Sequence, residues 1–123
     1  MIRVALISAA ALACATPVLA KTYCVFSSEC FEADACSDSS FRLDFEKGGD
    51  AGAARVSSGV TARTEFGDLG GFIIKQDGDQ DTIAFEGPGA FYFLTVAGRD
   101  ARLSVHMEGP LVVTYLGTCE AID

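Results

Sequence analysis

Apolar and polar residues alternate along most of this chain, and short Gly-containing breaks interrupt the alternation. A side-chain period of two belongs to strands with one buried face, so the pattern excludes a helical fold before any motif is considered. "FRLDF", from Phe41 to Phe45, alternates in this way, and "VTARTEF" repeats it with Val60, Ala62, Thr64 and Phe66 on one face. "GFIIKQ" and "DTIAFE" flank Asp77-Gly78, a dipeptide suited to the positive φ angles of a tight hairpin. "AFYFLTV" and "ARLSVHM" flank Gly98-Arg99-Asp100, and "ARLSVHM" and "LVVTYLG" flank Glu108-Gly109-Pro110. The second half of the chain therefore predicts successive antiparallel hairpins.

Two segments carry extra expectations. Phe91 to Val96 and Leu111 to Leu116 are apolar on both faces, which predicts strands covered on both sides or held in a subunit contact. Leu103, Val105 and Met107 alternate with Arg102, Ser104, His106 and Glu108, giving a strand with one wet face. "GGDAGAARVSSG" combines helix-favouring alanines with four glycines and predicts a turn and a short strand, with a single helical turn as the alternative. The count is about eight or nine strands. Such a meander is expected to close into a small antiparallel β-barrel, because closure removes strand edges that would otherwise template aggregation. A two-sheet β-sandwich is the alternative.

The first twenty residues, "MIRVALISAAALACATPVLA", have one basic residue near the start, an apolar run from Val4 to about Cys14, and Val18 and Ala20 after Pro17. This is the pattern of a cleaved signal peptide. The run is too short for a membrane span, which needs about 20 apolar residues. Residues 1–20 are thus expected to direct export to the periplasm or beyond, and residues 21–123 to form one β domain. A second reading of the same segment takes "AALAC" as a lipoprotein box and anchors the protein at Cys14.

Export places Cys24, Cys30, Cys36 and Cys119 in an oxidising space, where an even number of thiols in a small domain forms disulfides. Zinc would call for closer Cys pairs with His nearby, and the single His106 is remote in sequence. A redox centre would call for Cys-x-x-Cys, which is absent from the sequence. Strand order favours Cys24–Cys119, since a closed meander makes first and last strands neighbours. Cys30–Cys36 would then pin the polar connection after "YCVF". Cys24–Cys36 with Cys30–Cys119, and Cys24–Cys30 with Cys36–Cys119, remain open.

Little points to catalysis. His106 shares a strand face with Ser104 and Glu108, but residues two apart on a strand stand side by side without making a nucleophile–base bond. The hydroxyls of "CSDSSF" are expected in a turn, satisfying backbone groups. Asp44 with Glu46, or Glu29 with Glu32, supply carboxylate pairs of the kind glycosidases use, but no Trp is present to stack on a sugar. Asp77, Asp79 and Asp81 have the alternate spacing by which a calcium loop begins, yet Thr82 and Pro88 stand where its Gly and Glu would be. They are expected to form an acidic hairpin tip, a weak cation site at most. No cofactor is expected. Nine Phe stand against three Tyr and no Trp, and the Phe residues are expected mostly in the core.

The net charge is −8, one unit more negative once Arg3 is removed, which repels nucleic acid and favours a basic protein partner. Small size, export, acidity and disulfides are similar in type to those of periplasmic lysozyme inhibitors, whose targets are basic. No motif of those inhibitors carries over to particular residues. The expected function is a non-enzymatic protein-binding or inhibitor module. A lipocalin-like carrier of a small apolar ligand is the alternative, and a hydrolase ranks below both.

Overall fold

Eight antiparallel strands, each hydrogen-bonded to its neighbour in sequence, close into a barrel in the computed structural model, which describes residues 21–47 and 59–122. The strands are β1 (Lys21–Phe31), β2 (Cys36–Lys47), β3 (Gly59–Thr64), β4 (Gly67–Asp77), β5 (Gln80–Gly87), β6 (Ala90–Ala97), β7 (Asp100–Met107) and β8 (Leu111–Ile122). The closed barrel, rather than the sandwich, is the outcome. The expected export signal, Cys14 with it, and the expected turn and short strand after Lys47 lie outside the described residues, apart from Gly59, which opens β3.

Closure is made by β1 and β8, which pair antiparallel from Lys21↔Ile122 to Phe31↔Val113 with one irregularity between Phe26 and Ser28. Cys24 and Cys119 face each other in this ladder and are joined by a disulfide, with Cα atoms 3.9 Å apart. Both are buried. Cys30 and Cys36 are likewise register partners, at the β1–β2 hairpin, and form the second disulfide. The favoured pairing is the one found. The Ser-rich stretch after Cys36 is not a turn, however: it is the start of β2, held in register with β1 by the Cys30–Cys36 crosslink, and only Ser39 uses its hydroxyl locally, accepting from the Phe41 amide at 3.1 Å.

Inward positions fill the barrel. Phe26, Leu43, Val60, Phe85, Leu94 and Leu103 are almost fully buried, and among the described residues no polar or charged residue is buried. The two buried phenylalanines of β1 and β5 each face a strand glycine. Phe26 is opposite Gly117 and Phe85 is opposite Gly71. A methyl at Gly117 would fall against the Val25 carbonyl and the Phe26 Cα, and one at Gly71 against the Ala84 carbonyl and the Phe85 Cα. These glycines let adjacent backbones approach closely beside the bulkiest interior rings.

Turn chemistry sets the hairpins. In the β4–β5 connection Gly78 has φ of 63° and Asp77 pairs with Gln80, so the two-residue loop is Gly78-Asp79 and Asp77 ends its strand. The β6–β7 loop is Gly98-Arg99 on the same plan, with Ala97 paired to Asp100. "VTARTEF" does not continue as one strand: β3 stops at Thr64, and Glu65-Phe66 turn the chain into β4. The Thr64 hydroxyl stabilises that turn, accepting from the Phe66 amide and donating to the Gly67 carbonyl, both at 3.0 Å.

The Cys24–Cys119 crosslink spans 95 positions and Cys30–Cys36 spans 6. In the chain-entropy account these restrict the unfolded chain by about 4.7 and about 2.4 kcal/mol respectively. The Cys24→Ser/Cys119→Ser variant is therefore expected to melt at a lower temperature than Cys30→Ser/Cys36→Ser in thermal unfolding followed by circular dichroism. The reverse order would contradict this reading.

Candidate functional site

Three regions of the barrel differ in chemistry: its two ends and its outer face. At the end carrying the β1–β2, β3–β4, β5–β6 and β7–β8 connections, aromatic rings close the interior. Phe41 stacks on Tyr115 at 4.9 Å and 26°, Phe26 lies 6.2 Å from Phe41, and Phe66 reaches from its turn to lie 6.1 Å from Phe41. Burial raises the pKa of Tyr115, and Glu29, Tyr92 and Glu65 add to the rise. Glu32, paired with Glu29 in the sequence reading as a glycosidase-type couple, is committed to structure here. Its amide donates to the Val112 carbonyl at 3.0 Å and its carboxylate accepts from the Val112 amide at 3.1 Å.

The outer face is divided. Across β1–β4 charges are paired: Arg42 bonds Asp44 at 2.7 Å and lies 4.5 Å over the Tyr23 ring, and Arg63 sits 3.4 Å from Asp68. Asp44 is thereby taken up in an ion pair, leaving no carboxylate couple with Glu46. Across β4–β7 part of the outside is apolar and aromatic, bounded by the polar row Lys75, Thr82, Thr95 and Arg102. The register places Phe72, Ala84, Phe93 and Ser104 in one outward row and Glu86, Phe91 and His106 in the next. Phe72 is 47% exposed, Phe91 48%, Phe93 37% and the adjoining Ile74 50%. Ala84, outward between two inward core residues, is only 6% exposed and lies outside the core cluster, which is the mark of a small residue covered by flanking rings. Phe91 and Phe93 stack at 6.2 Å, and His106 meets the Phe93 ring edge-on at 5.4 Å.

Two expectations meet this face. Within the barrel the Phe91–Val96 strand is not covered on both sides, because its odd-numbered aromatics Phe91 and Phe93 stand outward while Tyr92 and Leu94 face inward, which leaves the subunit-contact alternative. Nor are the phenylalanines mostly core. Phe26, Phe41, Phe45 and Phe85 are buried, whereas Phe31, Phe66, Phe72, Phe91 and Phe93 are exposed. An eight-stranded barrel has interior room for little more than its own inward side chains, so the surplus rings lie outside. His106 belongs to the aromatic strip, and Glu108 has left the strand for the β7–β8 turn, so the face shared by Ser104, His106 and Glu108 does not persist.

At the opposite end, where the described termini of the barrel meet the β4–β5 and β6–β7 turns, no rings among the described residues close the interior. A cavity of about 200 Å³ opens there, lined by Phe45, Val60, Ile83 and Val96 below and by Thr22, Asp81 and Glu120 toward the mouth. Glu120 is bonded by Arg99. The three aspartates weighed as a cation site do not converge. Asp77 pairs with Gln80 across the hairpin, which puts Asp77 and Asp81 on opposite faces of the sheet, and Asp77 lies instead 3.8 Å from Lys75. Asp79 is in the turn, where its carbonyl accepts from the Gly98 amide at 3.4 Å. Among the described residues no group of three His, Cys, Asp or Glu side chains is disposed to hold a metal ion. Among the same residues no helix is long and apolar enough to cross a membrane.

Alternation alone did not reveal the strip. The signal for it was present in the spacing of Phe91, Phe93 and His106, which the register of a neighbouring Phe72 completes only in the folded barrel. Compared with known protein families, curated proteins and solved structures, the chain matches none.

Because Tyr115 has a raised pKa in the folded barrel, the native state holds its proton more tightly than the unfolded chain, whose value is about 10. That stabilisation is complete below pH of about 10 and is lost as pH rises through the higher native value. Tyr115→Phe is expected to flatten the alkaline fall in melting temperature between neutral pH and about 11, relative to the parent protein. Equal slopes would show that Tyr115 does not carry the effect.

Proposed function

We propose that the protein is a small acidic exported module that binds another protein, non-enzymatically, through the aromatic strip on the outside of β4–β7. The single observation behind this reading is the cluster of exposed Phe72, Ile74, Phe91 and Phe93, in which Phe72 and Phe93 flank a buried Ala84 in register. Scattered exposed apolar residues are ordinary on protein surfaces, whereas contiguous aromatic patches mark contact surfaces. Aromatic rings also supply much of the energy at binding hot spots, since they bury large areas with few rotatable bonds. Flat β-surface rather than a cleft suits a protein better than a small molecule.

Charge narrows the partner. With a net charge of −8, the surface surrounding the strip attracts a basic protein and accelerates encounter with it. Glu86 and Glu108 border the aromatic rows from β5 and the β7–β8 turn. An inhibitor of a basic enzyme is one such module. The carrier alternative has less support, because Phe26, Phe85, Leu43, Leu94 and Leu103 occupy the middle of the barrel where an apolar ligand would sit.

The test compares the tagged protein with a Phe91→Ser/Phe93→Ser variant in capture from envelope extract, with the variant's fold checked by circular dichroism. The reading expects a basic protein retained by the parent, released by raised salt, and reduced about tenfold or more on the variant, as loss of hot-spot aromatics implies. A capture profile identical for both proteins would refute it. Loss of a self-association, seen by sedimentation in the parent and absent from the variant, would reassign the strip to a contact between copies of the chain.

A further inference from the structure

The cavity at the open end of the barrel has an unusual wall. Inward positions of β5 are Asp81, Ile83 and Phe85; the last two are core residues, and the first is a carboxylate. Register carries the same inward row from Gln76 of β4 through Asp81 to Val96 and then to Ala101, apolar on the β6–β7 side. Asp81 is half-buried and lines the cavity together with the Thr22 side chain. Two cations at this end of the barrel are engaged elsewhere: Lys75 lies beside Asp77 and Arg99 bonds Glu120. Among the described residues Asp81 has no ion-pair partner. A half-exposed carboxylate at the mouth of a cavity with apolar walls is placed to take a counter-charge from a ligand.

We propose that this cavity binds a small amphipathic amine, with Asp81 as the counterion of its ammonium group. Phe45, Val60, Ile83 and Val96 enclose the apolar body, and Thr22 supplies a hydroxyl beside the charged head. Volume sets the size of the guest. An apolar cavity of about 150 Å³ holds one benzene ring, so about 200 Å³ takes a ring or short branched chain with a two- or three-atom tail. A full lipid or a retinoid-sized molecule is too large. The Asp81 carboxylate disfavours a ligand that carries its own carboxylate. The site is separate from the aromatic strip, which lies on the outside of the same strands, so either can fail without the other.

Titration of the protein with phenethylamine, phenethyl alcohol and hydrocinnamate, followed by proton–nitrogen correlation spectra, tests the proposal. The three probes share a ring and differ in the charge of the tail. Phenethylamine is expected to move the amide signals of Thr22, Ile83 and Val96 and to bind about ten- to a hundredfold more tightly than the alcohol, with no saturable shift from hydrocinnamate. Asp81→Asn should remove that preference for the amine while leaving the spectrum of the free protein dispersed, and Asp81→Glu should retain it. Equal affinity for amine and alcohol in the parent protein would overturn the proposal, as would an amine preference that survives in Asp81→Asn or shifts confined to residues away from the cavity. Should Asp81→Asn fail to fold, the comparison of amine with alcohol on the parent protein still decides the question.

Discussion

The seam between β1 and β8 is the constraint on which the rest of the barrel depends. Every other pairing joins strands adjacent in sequence, and where a tight turn links them it sets the register locally. The seam joins the two ends of the described chain and has no turn to guide it. Its register is specified by side chains instead: Cys24 must meet Cys119, and the Gly117 backbone must come against Phe26 where the ladder slips. Once it closes, β1 and β8 cease to be edges, and the inward residues Phe26, Leu43, Leu103 and their neighbours form one core. Without it the same eight strands would be an open sheet with two unprotected edges.

Closure also explains where the remaining chemistry lies. A barrel of this size is filled by its own inward side chains, so binding capacity is displaced to its exterior and its ends. One end is stoppered by Phe41, Tyr115 and Phe66. The other keeps a cavity beneath Asp81. Outside, β1–β4 carry paired charges, and β4–β7 carry the aromatic rows. Two chemically distinct regions thus arise from one short chain, the outer one carrying the proposed protein contact and the inner one the proposed amine site.

Much of the architecture was legible in the sequence. The hairpins at Gly78, Gly98 and Gly109 follow from turn chemistry, and the disulfide pairing follows from the rule that a closed meander makes its first and last strands neighbours. What alternation does not reveal is which side of an all-apolar strand faces out. "AFYFLTV" reads equally as a strand buried on both faces and as one that presents Phe91 and Phe93 to solvent, and only the registered Phe72, Ala84 and His106 distinguish the two. The aspartates show the converse difficulty. Asp77, Asp79 and Asp81 look like one cluster in the sequence, yet a two-residue hairpin loop necessarily sends residues four apart to opposite faces. Similarly, Ser37 to Ser40 have turn-forming composition but lie in β2, where the Cys30–Cys36 crosslink and pairing with β1 outweigh local propensity.

Native-state hydrogen exchange of the β1 and β8 amides tests the central claim most directly, because it reads the seam itself. If closure holds the barrel together, amides from Cys24 to Phe26 and from Gly117 to Cys119 will exchange as slowly as those of the β5–β6 ladder around Ile83 and Leu94, opening only when the whole protein unfolds. Exchange along β1 and β8 that is orders of magnitude faster than in β5 and β6, with the Cys24–Cys119 disulfide intact, would mean that the barrel is not sealed there and would contradict the account.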